Sequence, residues 1–446
     1  MKLVSLRPAL ASFYILLGLI VAAVGLPLYR QYMAPELELT VFYALILAFL
    51  LWLLFDFLLT RQRPEKIEIE REHEKSISLN VEQTIKILVK NLADRPIQLK
   101  LIDDTPADWR QLSPILNVKL AAGEQKTQLY KIKASRRGAF KIKHCYLRFG
   151  SKLGLWQVTW QYKLTSQVNV FPDFSAISET AGLNASLNLA DAGLKKLNKR
   201  GTGMDFNQLR DYREGDSIRQ IDWAATGRFN KPISREYQEE KNQNVTVLLD
   251  SGKRMCVQDD DLSYFDHALN ALILLSYTAL KTGDQLSFMS FGEQTRWLSN
   301  IKGGKNVSQV LNHFFDLYPD TSASDYLAAA QTLMQKQHKR SLVLLVTCLR
   351  DEDFSDLLEA CKLLQQKHLV AVISITEPVY QTIAAEPVES FEQALSYSAA
   401  SLLEQNIKKQ LSLLQHQGVI CFQVDTGALS ARVVNTYLSV KKSGSL

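Results

Sequence analysis

The sequence predicts a membrane-anchored multidomain chain in which two transmembrane helices precede an immunoglobulin-like β-sandwich and a doubly wound α/β domain. Three observations carry that expectation. Two apolar stretches open the chain, short runs of alternating polar and apolar residues follow, and after Asn244 the strands stop alternating and are spaced by helical segments. With 446 residues and a hydrophobic content of 46%, the chain is long enough for two or three buried cores. The expected boundaries are 1–60 for the helical hairpin, 65–172 for the sandwich, 173–200 for a linker, 201–242 for a charged motif and 243–446 for the α/β domain.

From Pro8 to Tyr29 no side chain is charged, a run long enough for a hydrocarbon layer of roughly 30 Å. The second stretch, Leu39 to about Leu59, is interrupted by Asp56 near its end, where a carboxylate reaches the interface. The first stretch exceeds the roughly 7–15 apolar residues of a signal core and lacks a small-x-small cleavage site, which favours a span over a signal peptide. Lys2, Arg7, Arg61, Arg63 and Lys66 flank the pair, against Arg30, Glu36 and Glu38 in the connection. That asymmetry predicts cytoplasmic ends, an integral multi-pass protein of the cytoplasmic (inner) membrane, and soluble domains in the cytoplasm. Cys145, Cys256, Cys348, Cys361 and Cys421 form no C-x-x-C pair and read as reduced core residues, with neither a disulfide framework nor a zinc site.

Between Lys66 and Phe171 the runs IEIERE, IQLKLID, KTQLYKIKAS, FKIKHCYLRFG and WQVTWQYKL alternate with period two and are separated by turn-formers such as Asp94-Arg95-Pro96 and Arg137-Gly138. They read as antiparallel strands of a sandwich, with Trp109, Trp156 and Trp160 in its core or rim. The stretch from Asp173 to Arg200 loses periodicity and ends in Lys195, Lys196, Lys199 and Arg200, a solvated linker. Beyond it VTVLLD, QLSFMSF, SLVLLVTCL, LVAVISIT and VICFQVD are apolar on both faces, as strands of a covered parallel sheet are. Helices are expected near Leu262–Lys281, Ser324–Gln337, Phe354–Lys367, Phe391–Gln415 and Ala428–Lys441. A ligand site of such a domain lies at the strand carboxyl ends, here Asp250, Phe291, Thr347–Asp351, Thr376 and Asp425.

The densest stretch is RGTGMDFNQLRDYREGDSIRQIDWAATGRFNKPISREYQEE, residues 200–240. Its arginines, among them Arg210, Arg213, Arg219, Arg228 and Arg235, alternate with carboxylates including Asp205, Asp211, Glu214, Asp216, Asp222 and Glu236. Bidentate pairs between them would fix loops without a long helix or strand. Gly201, Gly203, Phe206, Leu209, Arg210, Tyr212, Gly215, Asp216, Arg219, Ile221, Asp222, Trp223 and Arg228 resemble, at its spacing, the core motif of the bacterial family Domain of Unknown Function 58. Two positions depart: Asp205 stands where the family has Glu, and Gly227 precedes Arg228 where Ala is usual. QVNVFPDF and GSKLGLWQ also look like flanking features of that family, so the resemblance extends over nearly the whole chain. It implies a von Willebrand factor A-like fold for the α/β domain and association with a MoxR-type AAA+ ATPase.

That resemblance implies a divalent-metal site of pattern D-x-S-x-S. Here the strand VTVLLD ends in Asp250, but Gly252 and Arg254 occupy the serine positions. Glycine supplies no oxygen, and an arginine brings a fixed positive charge to the place of the cation, so the position reads as degenerate, with no metal and no cofactor. Thr321, Ser322, Ser324 and Asp325, with Asp351 further on, stand where the remaining oxygens would come from. Arg254 is expected to pair with Asp250, either as a plain salt bridge or as a fixed cation that accepts a partner's acidic side chain.

The net charge of +6 is spread thinly and no run interleaves arginines with aromatics, which argues against nucleic acid. Neither G-x-x-x-x-G-K-[ST], H-E-x-x-H nor G-x-S-x-G occurs, and the Gly201-x-Gly203 pair lacks the third glycine and the leading strand of a nucleotide loop. The expectation is a non-enzymatic scaffold or adaptor acting by protein–protein contact with a MoxR-type ATPase. Two alternatives stand beside it: a ligand or metal sensor using the α/β domain, and an uncharacterised enzyme built on the acids and arginines of the motif.

Overall fold

The computed structural model describes residues 2–25, 35–61, 66–112, 114–173, 205–213, 216–238, 242–385 and 387–445. Two compact units result, residues 1–170 and 171–446. Beyond Asp173 the expected linker, and Gly201, Gly203, Glu214 and Gly215, lie outside the described residues.

The first unit runs β1 (Lys2–Pro8), α1 (Leu10–Gly25), α2 (Pro35–Arg61), β2 (Ile67–Glu72), β3 (Ser76–Ser78), β4 (Glu82–Asn91), β5 (Ile97–Asp103), β6 (Arg110–Gln111), β7 (Leu116–Leu120), β8 (Gln125–Lys133), β9 (Gly138–Gly150) and β10 (Trp156–Phe171). One sheet has the order β1-β10-β9-β5-β7, with β3 also on β10, and the other β2-β4-β8-β6. Alternation in sequence becomes alternation in burial: Ile97, Leu99 and Leu101 of β5 point inward while Gln98 and Lys100 stay exposed. Asp103 continues the inward row. Arg71 of β2 donates from Nε to Asp103 Oδ2 at 2.9 Å and from Nη1 to the Leu164 carbonyl at 2.9 Å, and the Tyr130 hydroxyl donates to the same carboxylate. A strand of each sheet is thereby tied to the other through a buried charge. Trp109 and Trp160 are buried and Trp156 is half-buried.

The expected membrane hairpin is corrected here. Among the described residues no helix is long and apolar enough to cross a membrane, and the integral, multi-pass, inner-membrane reading falls with it. The helix α1 has 16 residues, about 24 Å at 1.5 Å per residue against a layer of roughly 30 Å. In α2 the uncharged run between Glu38 and Asp56 covers only residues 39–55. Asp56 is fully buried rather than interfacial: it accepts from the Leu153 and Leu155 amides at 3.1 and 3.2 Å and from Ser151 Oγ, holding the turn of GSKLGLWQ. Lys2 and Arg7 sit on β1, opposite Gln161 and Gln157 of β10. Both helices nevertheless expose large apolar side chains, among them Phe13, Tyr14, Tyr43 and Phe55.

The second unit begins with β11 (Asp205–Asp211), α3 (Trp223–Phe229) and β12 (Ile233–Gln238). Then come β13 (Asn244–Asp250), the short pair β14 (Gln258–Asp259) and β15 (Leu262–Ser263), α4 (Tyr264–Lys281), β16 (Gln285–Phe291), β17 (Trp297–Lys302), α5 (Val307–Phe314), α6 (Tyr326–Lys336), β18 (Leu342–Thr347), α7 (Phe354–Gln365), β19 (Leu369–Ile375), α8 (Pro378–Ala385), α9 (Phe391–His416), β20 (Ile420–Val424) and α10 (Thr426–Ser443). The large sheet has the order β17-β16-β13-β18-β19-β20, and only the edge strand β17 runs antiparallel to its neighbour. Val245, Val247 and Leu249 of β13 pack with α4 and α10 on one face, while Leu248, Val343 and Leu345 pack with α6, α7 and α9 on the other. That two-sided burial is why these strands lack alternation. The start of α4 carries a capping box, Ser263 with Asp266. Gly303 to Asn306 leads from β17 through a 3-10 turn into α5.

Strand β13 has β16 on one side and β18 on the other, so the chain reverses its winding between β13 and β18. The crevice outside their carboxyl ends is where ligands of doubly wound sheets bind.

The last helix is locked by a second buried charge. Asp284 Oδ2 accepts from Lys441 Nζ at 2.7 Å and from the Tyr437 hydroxyl at 2.6 Å, and its Oδ1 accepts from the Gln243 amide at 3.2 Å. Lys441→Met should destabilise the α/β domain by roughly 3–5 kcal/mol, because it leaves a buried carboxylate without its cation. The double variant Lys441→Met with Asp284→Asn should recover most of that loss. Urea unfolding of the three proteins checks this; equal midpoints for the single variant and the wild type would refute the lock.

Candidate functional site

Two places collect the residues singled out in the sequence. The motif folds as a small module on the β11–β12 ladder, in which Leu209 faces Arg235, Arg210 faces Ser234 and Asp211 faces Ile233. The expectation of loops fixed without strands is corrected by this ladder. At its open end Arg210 grips Asp216 in the bidentate manner, with Nη1–Oδ2 at 2.7 Å and Nη2–Oδ1 at 2.8 Å. The Arg213 amide adds a bond of 2.9 Å to the same carboxylate, and the Tyr212 hydroxyl reaches the Asp216 carbonyl at 3.1 Å. Asp222 caps α3 by accepting from the Ala225 amide at 3.0 Å, and Arg235 Nε holds its other oxygen at 2.9 Å. Ile221 bridges to Ser234, and Thr226 Oγ1 accepts from the Ile233 amide at 3.0 Å.

These contacts depress both carboxyls. Hydrogen bonding from Arg210, then from the Arg213 amide, lowers Asp216; the Ala225 amide, then Arg235, lowers Asp222. Both are fixed as ionised acceptors, a poor starting point for general-acid chemistry. Ile233 and Ala225 are buried, but four of the module's apolar residues face outward: Trp223 and Ile218 are each 70% exposed, Phe229 61% and Leu209 42%. Arg219 and Arg228 are exposed, and no carboxylate among the described residues pairs with them. The backbone of Phe206 lies opposite Tyr237 on the ladder.

The second place is the crevice at the switch of winding. Asp250 ends β13 and is fully buried. Its Oδ1 accepts from the Gly252 amide at 3.0 Å and from Ser324 Oγ; its Oδ2 accepts from Thr347 Oγ1 at 2.7 Å and from Arg254 Nη1 at 3.3 Å. Arg254 rises from a 3-10 turn, Lys253–Cys256, and its side chain has no exposure. Its Nε pairs with Asp353 at 2.9 Å, its Nη2 donates to the Ser324 carbonyl at 3.0 Å, and its guanidinium carbon stands 4.4 Å from the centre of the Tyr326 ring. Burial disfavours the charged guanidinium, but Tyr326, Asp250 and Asp353 outweigh it and hold Arg254 above its ordinary value.

The sequence pairing of Arg254 with Asp250 is present, yet a guanidinium without exposure offers nothing to a partner's carboxylate. Asp353, not Asp351, supplies the second acid; Asp351 instead accepts from Asn406 and Gln410 at 2.9 and 2.7 Å. Ser324 and Thr347 bond Asp250, whereas Asp325 caps α6 through the Ala328 amide at 2.7 Å. Asp353 escaped sequence reasoning because only the length of the 3-10 turn Asp351–Asp353 decides which of its acids turns inward. Cys348, next to Thr347, donates to Glu377 at 3.4 Å, and burial together with that carboxylate pushes its thiol up to about 12. A divalent metal does not fit this set: each oxygen of Asp250 already accepts two hydrogen bonds, and a fixed cation fills the space between the two acids.

The sequence matches the model of DUF58, a protein family of unknown function, over residues 208–392. That span runs from β11 into the start of α9, so the matched region is narrower than the near-complete coverage the sequence resemblance implied. No curated protein matches. Among solved structures, the CARDB domain of the PF1109 protein from Pyrococcus furiosus is 14% identical, covers 24% of this chain and 88% of its own, and has a TM-score of 0.18. Proximal thread matrix protein 1 from the mussel byssus is 13% identical, with 44% and 48% covered and a TM-score of 0.30. A β-glucosidase from Listeria innocua is 18% identical, with 24% and 16% covered and a TM-score of 0.14.

A depressed carboxyl contributes stability that is present above its ordinary value of about 3.9 and is lost as pH falls through its lower folded value. Deuterium exchange of peptides spanning 205–238 should therefore show the module loosening only on acidification below about pH 4 in the wild type. In Asp216→Asn the same peptides should exchange fast already at neutral pH. Identical exchange of both proteins at pH 7 would show that the Arg210–Asp216 pair does not hold the module.

Proposed function

We propose that this chain, which belongs to the DUF58 family, is an adaptor that captures a protein partner through the module of residues 205–238, and that the partner is a MoxR-type AAA+ ATPase. The observation that carries the reading is the module's exposed apolar surface. Its carboxylates Asp216 and Asp222 are bound internally, while Trp223, Ile218 and Phe229 are left outside beside Arg219 and Arg228. Exposed aromatic and aliphatic side chains beside arginines are the composition of an interface hot spot.

The module is small and braced by two ion pairs across its ladder and turn, which lowers the ordering cost of association. Arg219 and Arg228, with which no described carboxylate pairs, suit a partner whose contact surface is acidic around an apolar centre. The identity of the ATPase rests on the resemblance of the motif to its family, and the von Willebrand factor A-like character of the doubly wound domain rests on the same ground. The module's acids are saturated by arginine and amide donors, which sets the adaptor reading above an enzymatic one.

Trp223→Ala should weaken binding of the purified ATPase by at least about 30-fold, the loss expected from a hot-spot residue contributing about 2 kcal/mol. Arg228→Glu should weaken it further at low salt than at high salt. Calorimetric titration with both variants and the wild type checks this, with unchanged melting temperatures as the control for folding. Wild-type binding that neither substitution alters would remove the module from the interface, and an absence of wild-type binding would remove the ATPase.

A further inference from the structure

The crevice at the switch of winding is shaped and charged like a cation site, and its cation belongs to the chain. Four oxygen-bearing side chains converge there from separate elements: Asp250 at the end of β13, Ser324 before α6, Thr347 at the end of β18 and Asp353 before α7. Oxygens of this kind are what a small divalent ion requires. The guanidinium of Arg254 stands among them, 3.3 Å from Asp250 and 2.9 Å from Asp353, closed over by the Tyr326 ring.

We infer that Arg254 is the permanent resident of a cation site, so that the α/β domain is assembled independently of metal and regains a divalent-ion site only when this side chain is removed. Three features of the crevice agree. Apart from Arg254, Asp250 receives only neutral donors, so removal of the guanidinium leaves the fully buried Asp250 and the partly exposed Asp353 without the cation between them. Planar Arg254 stands within ion-pair distance of both at once through different nitrogens, which a lysine's single ammonium would not match. Gly252 cannot revert to an oxygen ligand, because a Cβ there would stand 2.0 Å from Ser324 Oγ and 2.9 Å from the Ser322 carbonyl. Ser324 has taken the space that a side chain at 252 would use, and it keeps its hydroxyl on Asp250. This inference concerns the α/β core and is independent of the module's proposed partner.

The experiment is a thermal scan of the full chain, with and without millimolar MnCl2, together with Mn2+ titration followed by electron paramagnetic resonance. The wild type should show one melting temperature in both conditions and no saturable Mn2+ binding. Arg254→Ser should melt lower without metal, bind one Mn2+ per chain and recover part of the lost melting temperature, and Asp250→Asn added to it should abolish both effects. Arg254→Met combined with Asp250→Asn should fold and ignore Mn2+, since only the partly exposed Asp353 remains charged there. Saturable Mn2+ binding by the wild type that disappears in Asp250→Asn would overturn the inference, as would a folded Arg254→Ser that is blind to Mn2+. If Arg254→Ser is insoluble in both conditions, the double variant decides: its recovery supports Arg254 as the counter-ion, and its failure overturns the inference.

Discussion

A carboxylate with no solvent exposure at the end of the central strand constrains everything built around it. An ion in that position costs several kcal/mol unless every lone pair is answered and its charge is balanced. Asp250 is answered by an amide, two hydroxyls and a guanidinium drawn from four stretches of chain. Each of those stretches is consequently fixed in place: the turn at Gly252, the 3-10 turn bearing Arg254, the loop before α6 and the end of β18. Asp353 then supplies the second acid, and Tyr326 covers the guanidinium while hydrogen-bonding Thr347 at 2.8 Å. The loops at the carboxyl edge of the sheet thus form one cross-linked unit rather than separate connections. That is an unusual use of the location at which open sheets most often keep a vacancy for a ligand.

The same solution recurs away from any crevice. In the sandwich Asp103 is held by Arg71 and Tyr130 from the facing sheet, and burial together with that carboxylate pushes the Tyr130 hydroxyl well above its ordinary value. In the α/β domain Asp284 is held by Lys441 and Tyr437 of the last helix. Each site joins elements far apart in sequence, and each pairs one acid with one base and at least one hydroxyl. Such pairs add little net stability over apolar packing but penalise alternative arrangements heavily, since any arrangement that separates the partners leaves a buried charge alone. Their value lies in selecting one register for sheets whose apolar strands, such as LVLLVT of β18, would slide against one another at small cost.

Where a residue's neighbours in sequence determine its environment, the fold was legible. The alternation of β5 and its absence in β13 each appeared directly as burial on one face or on two. The helices α4, α6, α7, α9 and α10 began within two residues of the expected positions, helped by caps such as Ser263 and Asp325. What failed depended on distant partners. Asp56 looked like the interfacial end of a span because its acceptors' donors, Ser151, Leu153 and Leu155, lie almost a hundred residues away. The edge strand β17 and the short helices α5 and α8 lacked a strong pattern, as a half-exposed strand and eight-residue helices do. At the candidate site, Arg210–Asp216 and Arg254–Asp250 were readable because the partners are six and four residues apart. Asp353 and the clash that bars a side chain at Gly252 were not, since both are properties of loops meeting from separate strands.

The two arginine–aspartate pairs look alike in sequence and differ in consequence through burial alone. Around Arg254 the guanidinium is enclosed, its charge is shared by two acids, and the only outlet is internal, so the site is spent on holding the domain together. Around Arg210 the pair keeps 28% and 18% side-chain exposure, water competes for it, and its contribution to stability is correspondingly modest. A weak clamp of that kind is a poor reason for a module to expose Trp223 and Phe229, each of which loses hydrophobic stabilisation by staying in water. Under the proposed adaptor reading that loss is recovered on a partner surface that covers those rings. The division of labour we propose is that the α/β domain, closed by its own cation, supplies a stable base while the module offers the contact surface.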